Sequence, residues 1–251
     1  MDSLFPGAGT FINVFAIVGG ALIGGFLGSR FKDRMRELVT DSLGLVTILV
    51  GFMSAWVVGS SSLSQAVGEG FPLLVVLGAL LLGAITGTLL KITEKFDSVG
   101  EFLNKRLSGN SSQTSRFLEG FVSASLLFVV GPLAIMGGIS DGLGAGIDQL
   151  LLKSSLDFFA AMAFAASFGS LGVASSALSV GAYQGFFTLI GVGLGSAISE
   201  AQIDALTATG GLLLVGVGLR LLNIRQIRVA DLLPALLYAP LIVLVMASLR
   251  S

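Results

Sequence analysis

Apolar residues run along this chain in long blocks of about 20 residues, broken by short polar interludes. The blocks fall near residues 10–29, 42–60, 71–91, 117–138, 150–172, 178–197, 208–223 and 231–249. At a rise of 1.5 Å per residue each spans a hydrocarbon core of ~30 Å as an α-helix. Strands of a membrane barrel would instead alternate apolar and polar positions over short segments. In lipid every backbone amide and carbonyl must find a partner, which leaves helices for blocks of this length. The pattern predicts an all-α integral membrane protein of about eight transmembrane helices, forming a single transmembrane domain over residues 1–251. The first block has only Asp2 before it and no basic residue, so it reads as a retained span rather than a cleaved signal.

Composition sharpens that picture. Charged residues make up 12% of the chain, about half the share usual in soluble domains, and the mean hydropathy is +0.95. Twelve of the fourteen basic residues sit in alternate interludes: residues 30–41, residues 91–116, and the flanks of the seventh loop at Arg220, Arg225 and Arg228. The interludes 61–70, 139–149 and 198–207 hold no Lys or Arg. The positive-inside rule then puts the basic side in the cytoplasm and both termini outside. Ser108–Gly109–Asn110–Ser111–Ser112 reads as a flexible linker in a cytoplasmic loop. The chain has neither cysteine nor histidine, which removes thiol chemistry, histidine acid–base steps and histidine-ligated metal. No cofactor and no metal are expected. The near-neutral net charge of −1 gives no basic face for nucleic acid.

An internal repeat adds architecture. Aligned without a gap at a shift of 167, Leu22–Gly51 and Leu189–Gly218 agree at eleven of thirty positions. The matches include Leu27–Gly28–Ser29 with Leu194–Gly195–Ser196, Gly44 with Gly211 and Gly51 with Gly218. Arg30, Lys32, Arg34 and Arg36 of the first copy face Ala197, Ser199, Ala201 and Ile203 of the second. That exchange of basic for neutral residues is what opposite membrane orientation demands. The expected plan is a first repeat over 1–107, a two-helix central insert over 117–175 and a second, inverted-topology repeat over 178–251. Gly20, Gly24 and Gly28 mark one close-packing helix face, and Gly211 and Gly218 another; such faces also suit a homo-oligomer in the lipid.

The insert carries the polar groups that packing alone does not explain. Pro132, with Gly131, Gly137 and Gly138, interrupts the fourth span, either as a simple kink or as a broken helix lining a cavity. Asp141 follows in the outer loop. In the fifth span Lys153 and Asp157 are four residues apart and stack on one helix face, with Asp157 ~10 Å into the helix. Lys153 can snorkel outward, whereas Asp157 is too short to do so. The pair is either structural or a binding site for an ion, a proton or a substrate, with Ser154 beside it. Gln184 in the sixth span and Asn13 in the first are buried amides that need partners, either as interhelical glue or as ligands.

The run Val130–Gly131–Pro132 through Met136–Gly137–Gly138–Ile139–Ser140–Asp141–Gly142–Leu143, with Lys153–Ser154, Leu156–Asp157 and Tyr183–Gln184–Gly185, resembles the bacterial membrane family called domain of unknown function 554. Gly9–Thr10–Phe11–Ile12–Asn13 and Leu233–Pro234–Ala235 carry the resemblance to both ends. It implies a multi-pass protein of the bacterial cytoplasmic membrane with a transport role and no defined substrate. Thr88, Phe158 and Gly146 depart from the family's pattern. Inverted repeats, a broken helix and an intramembrane carboxylate lead to the expectation of a secondary transporter or channel-like carrier of a small solute or ion. A non-transporting scaffold or assembly partner is the alternative. An enzyme is not expected, since no nucleophile elbow, paired-carboxylate motif or nucleotide loop appears.

Overall fold

The computed structural model describes residues 5–28, 30, 32–95, 98, 102, 114–129, 132–194 and 198–250. These residues form ten α-helices, two short 3₁₀ turns and connecting loops, with no strand among them. The helices are α1 (Ala8–Gly28), α2 (Asp33–Ala55), α3 (Ser61–Val67), α4 (Pro72–Leu89), α5 (Thr114–Val129), α6 (Pro132–Gly142), α7 (Asp148–Phe168), α8 (Ser170–Leu194), α9 (Glu200–Leu221) and α10 (Ala235–Ser248). Seven helical segments are long and apolar enough to cross a membrane, or eight if the bent pair Ser115–Val129 and Leu133–Gly142 makes one span. The linker at 108–112 lies outside the described residues.

Local signals explain where the helices differ from the hydrophobic blocks. The fourth block forms two helices that meet at 64°. Pro132 opens the second of them, in the first-turn position where its missing amide costs nothing. Val130, Gly131 and the Pro132 side chain lie outside the described residues. The polar interlude 198–207 is not a loop but the start of α9. Ser199 accepts from the Gln202 amide while Gln202 bonds back to the Ser199 amide, a capping box that starts the helix ahead of its apolar run. Within 61–70, Ser60 caps the short helix α3 in the same way.

Two compact units emerge. The first contains α1, the start of α2 up to Leu43, α5, α6 from Leu133, α7 and α8. Its helices meet through glycines that bring backbone against backbone. Gly20, Gly24 and Gly28 lie on Phe158, Met162 and Ala166 of α7, so α1 and α7 run parallel. Gly142 meets the Thr188 carbonyl and Gly191 meets that of Ile139, so α6 and α8 also run parallel. Against these, α1 is antiparallel to α8, with Thr10 beside Thr188 and Val14 beside Gly181. A β-carbon at Gly24, Gly28, Gly142 or Gly191 would collide with a carbonyl oxygen.

The second unit contains the rest of α2, α3, α4, α9 and α10. Here α2 and α9 cross antiparallel: Gly218 rests on the Gly44 carbonyl and Gly211 on that of Gly51. A separate small-residue core joins Leu63, Val67, Val75, Ala79, Ala205, Ala235, Ala239 and Val243. The outer faces of α2 and α4 remain apolar, with Leu49, Phe52 and Met53 on one and Leu73, Leu77 and Leu81 on the other. In water such surfaces would aggregate; hydrocarbon is their solvent.

Candidate functional site

Within the first unit, α1, α7 and α8 bring together side chains far apart in sequence. Lys153 and Asp157, one turn apart on α7, form an ion pair with Nζ 2.5 Å from Oδ2. The same carboxylate oxygen accepts from the Asn13 amide of α1 at 2.9 Å. That amide nitrogen also donates to Gln184 Oε1 of α8 at 3.3 Å. Asn13 and Gln184 are fully buried, and Lys153 and Asp157 are 6% and 7% exposed. Four of the sequence-derived candidates therefore converge.

Lys153 does not snorkel outward. Its ammonium turns into the unit, 6.0 Å from the centre of the Phe128 ring of α5. Within its own helix Asp157 draws the ammonium inward, and α5 supplies an aromatic face. Ser154 is buried, but its hydroxyl donates to the Leu150 carbonyl of its own helix at 2.6 Å, so it adds no contact to the cluster. Asp141 is not in a loop. The helix α6 continues through it, and the carboxylate is fully buried, its Oδ2 accepting from the Gly9 amide at 3.0 Å. Gly9 lies in the first turn of α1, where amides have no intrahelical acceptor, and this draws the carboxylate inward.

Sequence reasoning missed two threonines. Thr10 and Thr188 are buried with their hydroxyls 3.4 Å apart, and Thr188 also donates to the Gln184 carbonyl at 3.0 Å. Thr10 precedes Asn13 by three positions and Thr188 follows Gln184 by four, so each shares a helix face with a candidate; that spacing was the available signal. Gly9, Thr10 and Asn13 thus display one polar stripe along the start of α1, opposite Gln184 and Thr188.

Several polar atoms here have no hydrogen-bond partner among the described residues. Asn13 Oδ1, Gln184 Nε2 and Asp141 Oδ1 are buried and unbonded. Groups of this kind are costly in a low-dielectric interior and mark places where a ligand or water completes the bonding. Among the described residues no three His, Cys, Asp or Glu side chains converge in a way that would hold a metal. The arrangement offers donors, acceptors and an exchangeable ion pair, a chemistry suited to binding.

Apolar helices with lipid-compatible outer faces, enclosing charged and amide side chains, define a multi-pass membrane protein with an internal polar cluster. The chain belongs to the family described as "Protein of unknown function (DUF554)", whose profile matches residues 8–244. It is 27% identical over 238 residues to the "Uncharacterized membrane protein YdfK" of Bacillus subtilis (strain 168), covering 94% of this chain and 96% of that protein. It is 32% identical over 242 residues to the "Uncharacterized protein YqgA" of Escherichia coli (strain K12), covering 92% and 94%. No solved structure matches.

Proposed function

We propose that this protein is a secondary transporter or channel-like carrier that moves a small solute or ion through the buried cluster of the first unit. The observation that carries the reading is the meeting of Lys153, Asp157, Asn13 and Gln184 inside membrane-spanning helices, with amide atoms left unpaired. Charge within a bilayer costs at least ~2.5–3.5 kcal/mol per group unless paired or hydrated, and its usual use is along a transport path. The cluster is closed to solvent, which makes it an occluded site that must open to each side in turn.

The inverted-topology repeat read from the sequence is the second support for this proposal. At the shift of 167, Gly44 matches Gly211 and Gly51 matches Gly218. Each glycine packs on the counterpart of the other, Gly44 on Gly218 and Gly51 on Gly211, as a two-fold relation requires. Antiparallel spanning helices related in that way have their axis in the membrane plane. Gly24 and Gly191 are also matched, and each lies on a carbonyl of a parallel helix, α7 for the first and α6 for the second. The insert helices thus take equivalent places beside α1 and α8.

The reading locates the protein in a bacterial cytoplasmic membrane with both termini outside. Cysteines at Ser61 and Gln226, both exposed, are expected to label from opposite faces of intact cells, Ser61→Cys from outside. Labelling from one face would overturn the topology. The functional test is a solute-uptake screen in proteoliposomes, with and without ion gradients, on the unmodified protein and on the double variant Lys153→Met with Asp157→Asn. Uptake lost in a folded double variant supports the carrier. The closed state of the cluster favours a second reading, a non-transporting scaffold in which the hydrogen bonds of Asn13 to Asp157 and Gln184 pin three helices. No uptake of any solute, with full stability in the double variant, selects the scaffold.

A further inference from the structure

We propose that the cluster binds one monovalent metal cation between Asp141 and Asn13; the inference deepens the carrier reading and rests on the same site. Charge accounting points there first. Lys153 and Asp157 neutralise one another at 2.5 Å. Asp141 is fully buried, and among the described residues its carboxylate bonds only the neutral amide of Gly9. With Asp141 ionised, the described residues here leave one negative charge without a counter-charge, in a medium where an unpaired charge is strongly unfavourable. One positive charge balances it, and two would overshoot.

The atoms left free have the right character. Asp141 Oδ1 and Asn13 Oδ1 are both buried acceptors without a donor. Gly9, which holds Asp141, and Asn13 are four residues apart on α1, hence stacked on one face about 6 Å apart along the helix. The Thr10 and Thr188 hydroxyls, also on the facing surfaces of α1 and α8, offer further oxygen lone pairs. Carboxylate, amide and hydroxyl oxygens with no sulfur or imidazole are hard ligands, suited to alkali cations rather than to transition metals. Asn13 links this position to the carboxylate of Asp157 through its own amide, so occupancy of one is felt at the other.

The test uses the full chain purified in detergent, with its melting temperature followed as choline chloride is replaced by sodium, potassium or lithium chloride at constant ionic strength and pH. The expected result is a saturable rise with at least one alkali cation, about 5–10 °C at a hundredfold excess over Kd. Asp141→Asn, which keeps an acceptor for the Gly9 amide and removes the charge, is expected to weaken the response at least tenfold. Should that variant fail to fold, Asn13→Leu provides the second arm, with the same expected loss. Asp204→Asn, at a carboxylate of the second unit that bonds Ser62, should respond like the unmodified chain. A melting temperature indifferent to all three cations, or an undiminished response in folded Asp141→Asn or Asn13→Leu, overturns the proposal. So does stabilisation that follows pH alone, which would assign the charge to a proton. Cation stabilisation without uptake of any solute would sink the carrier and leave this site standing. Uptake that needs Asp157 yet ignores the cation would do the reverse.

Discussion

The two units use the same packing device for different ends. Both bring helices together through glycines that rest on a neighbour's carbonyls, Gly24 on Met162 in the first and Gly87 on Asp231 in the second. In the second unit several polar side chains finish helix ends, beside the buried threonines Thr207 and Thr209 within α9. Ser199 and Gln202 start α9, the Gln202 amide reaches the Pro240 carbonyl at 3.3 Å, and Asp231 accepts from the Thr93 amide at 2.9 Å. Between them lies an apolar core of small residues. In the first unit the polar side chains sit mid-helix and bond across helices, and several remain unsatisfied. Close helix packing therefore does not require an interior of ionic and amide side chains.

Substitutions can break that contrast, and the largest effect is expected at the ion pair. Asp157→Asn strands the Lys153 ammonium and is expected to cost about 3–5 kcal/mol, read as thermal stability in detergent. Adding Lys153→Met should recover most of it; a double variant no more stable than the single would show that Asp157 holds more than its lysine. Next come the glycine seams. Gly24→Val in the first unit and Gly51→Val in the second should each cost about 1–3 kcal/mol or more, because a branched side chain meets backbone rather than a movable group. A tolerated Gly24→Val, followed by melting and by yield of folded protein, would mean that α1 and α7 are not in contact there.

Smaller effects separate helix ends from helix interiors. Ser199→Ala removes the capping box and should cost the second unit about 1 kcal/mol. In the first unit Gly185 has open space where its β-carbon would lie, so Gly185→Ala should stabilise by about 0.4–1 kcal/mol. A loss of stability in that variant would point to an occupant of the space, and paired melting curves would show it.

Much of the fold was legible because hydrocarbon imposes one rule on long segments. Apolar runs near 20 residues read as helices, and the structure has them. The boundary errors came from polar residues doing helical work: Ser199 and Gln202 look like loop residues until their capping geometry is considered. The site was half legible. Asp157, Asn13 and Gln184 stood out because buried polar residues need partners, and they found one another. Lys153 was misdirected because reasoning on an isolated helix ignores the aromatic face that α5 puts beside it. Asp141 was taken for loop because the apolar run stops at 138; the helix continues to Gly142, after the carboxylate has been buried.

The seam between α1 and α7 has a mechanical consequence. Interlocked side chains resist sliding, since each must change rotamer to pass its neighbour. Gly20, Gly24 and Gly28 present a nearly smooth rail, with backbone bearing on Phe158, Met162 and Ala166. Along such a rail α7 can travel by small steps with few torsional obstacles, as in a shear motion. Asp157 lies on α7 and Asn13 on α1, so the hydrogen bond between them spans the same seam and has to break before the two helices slide.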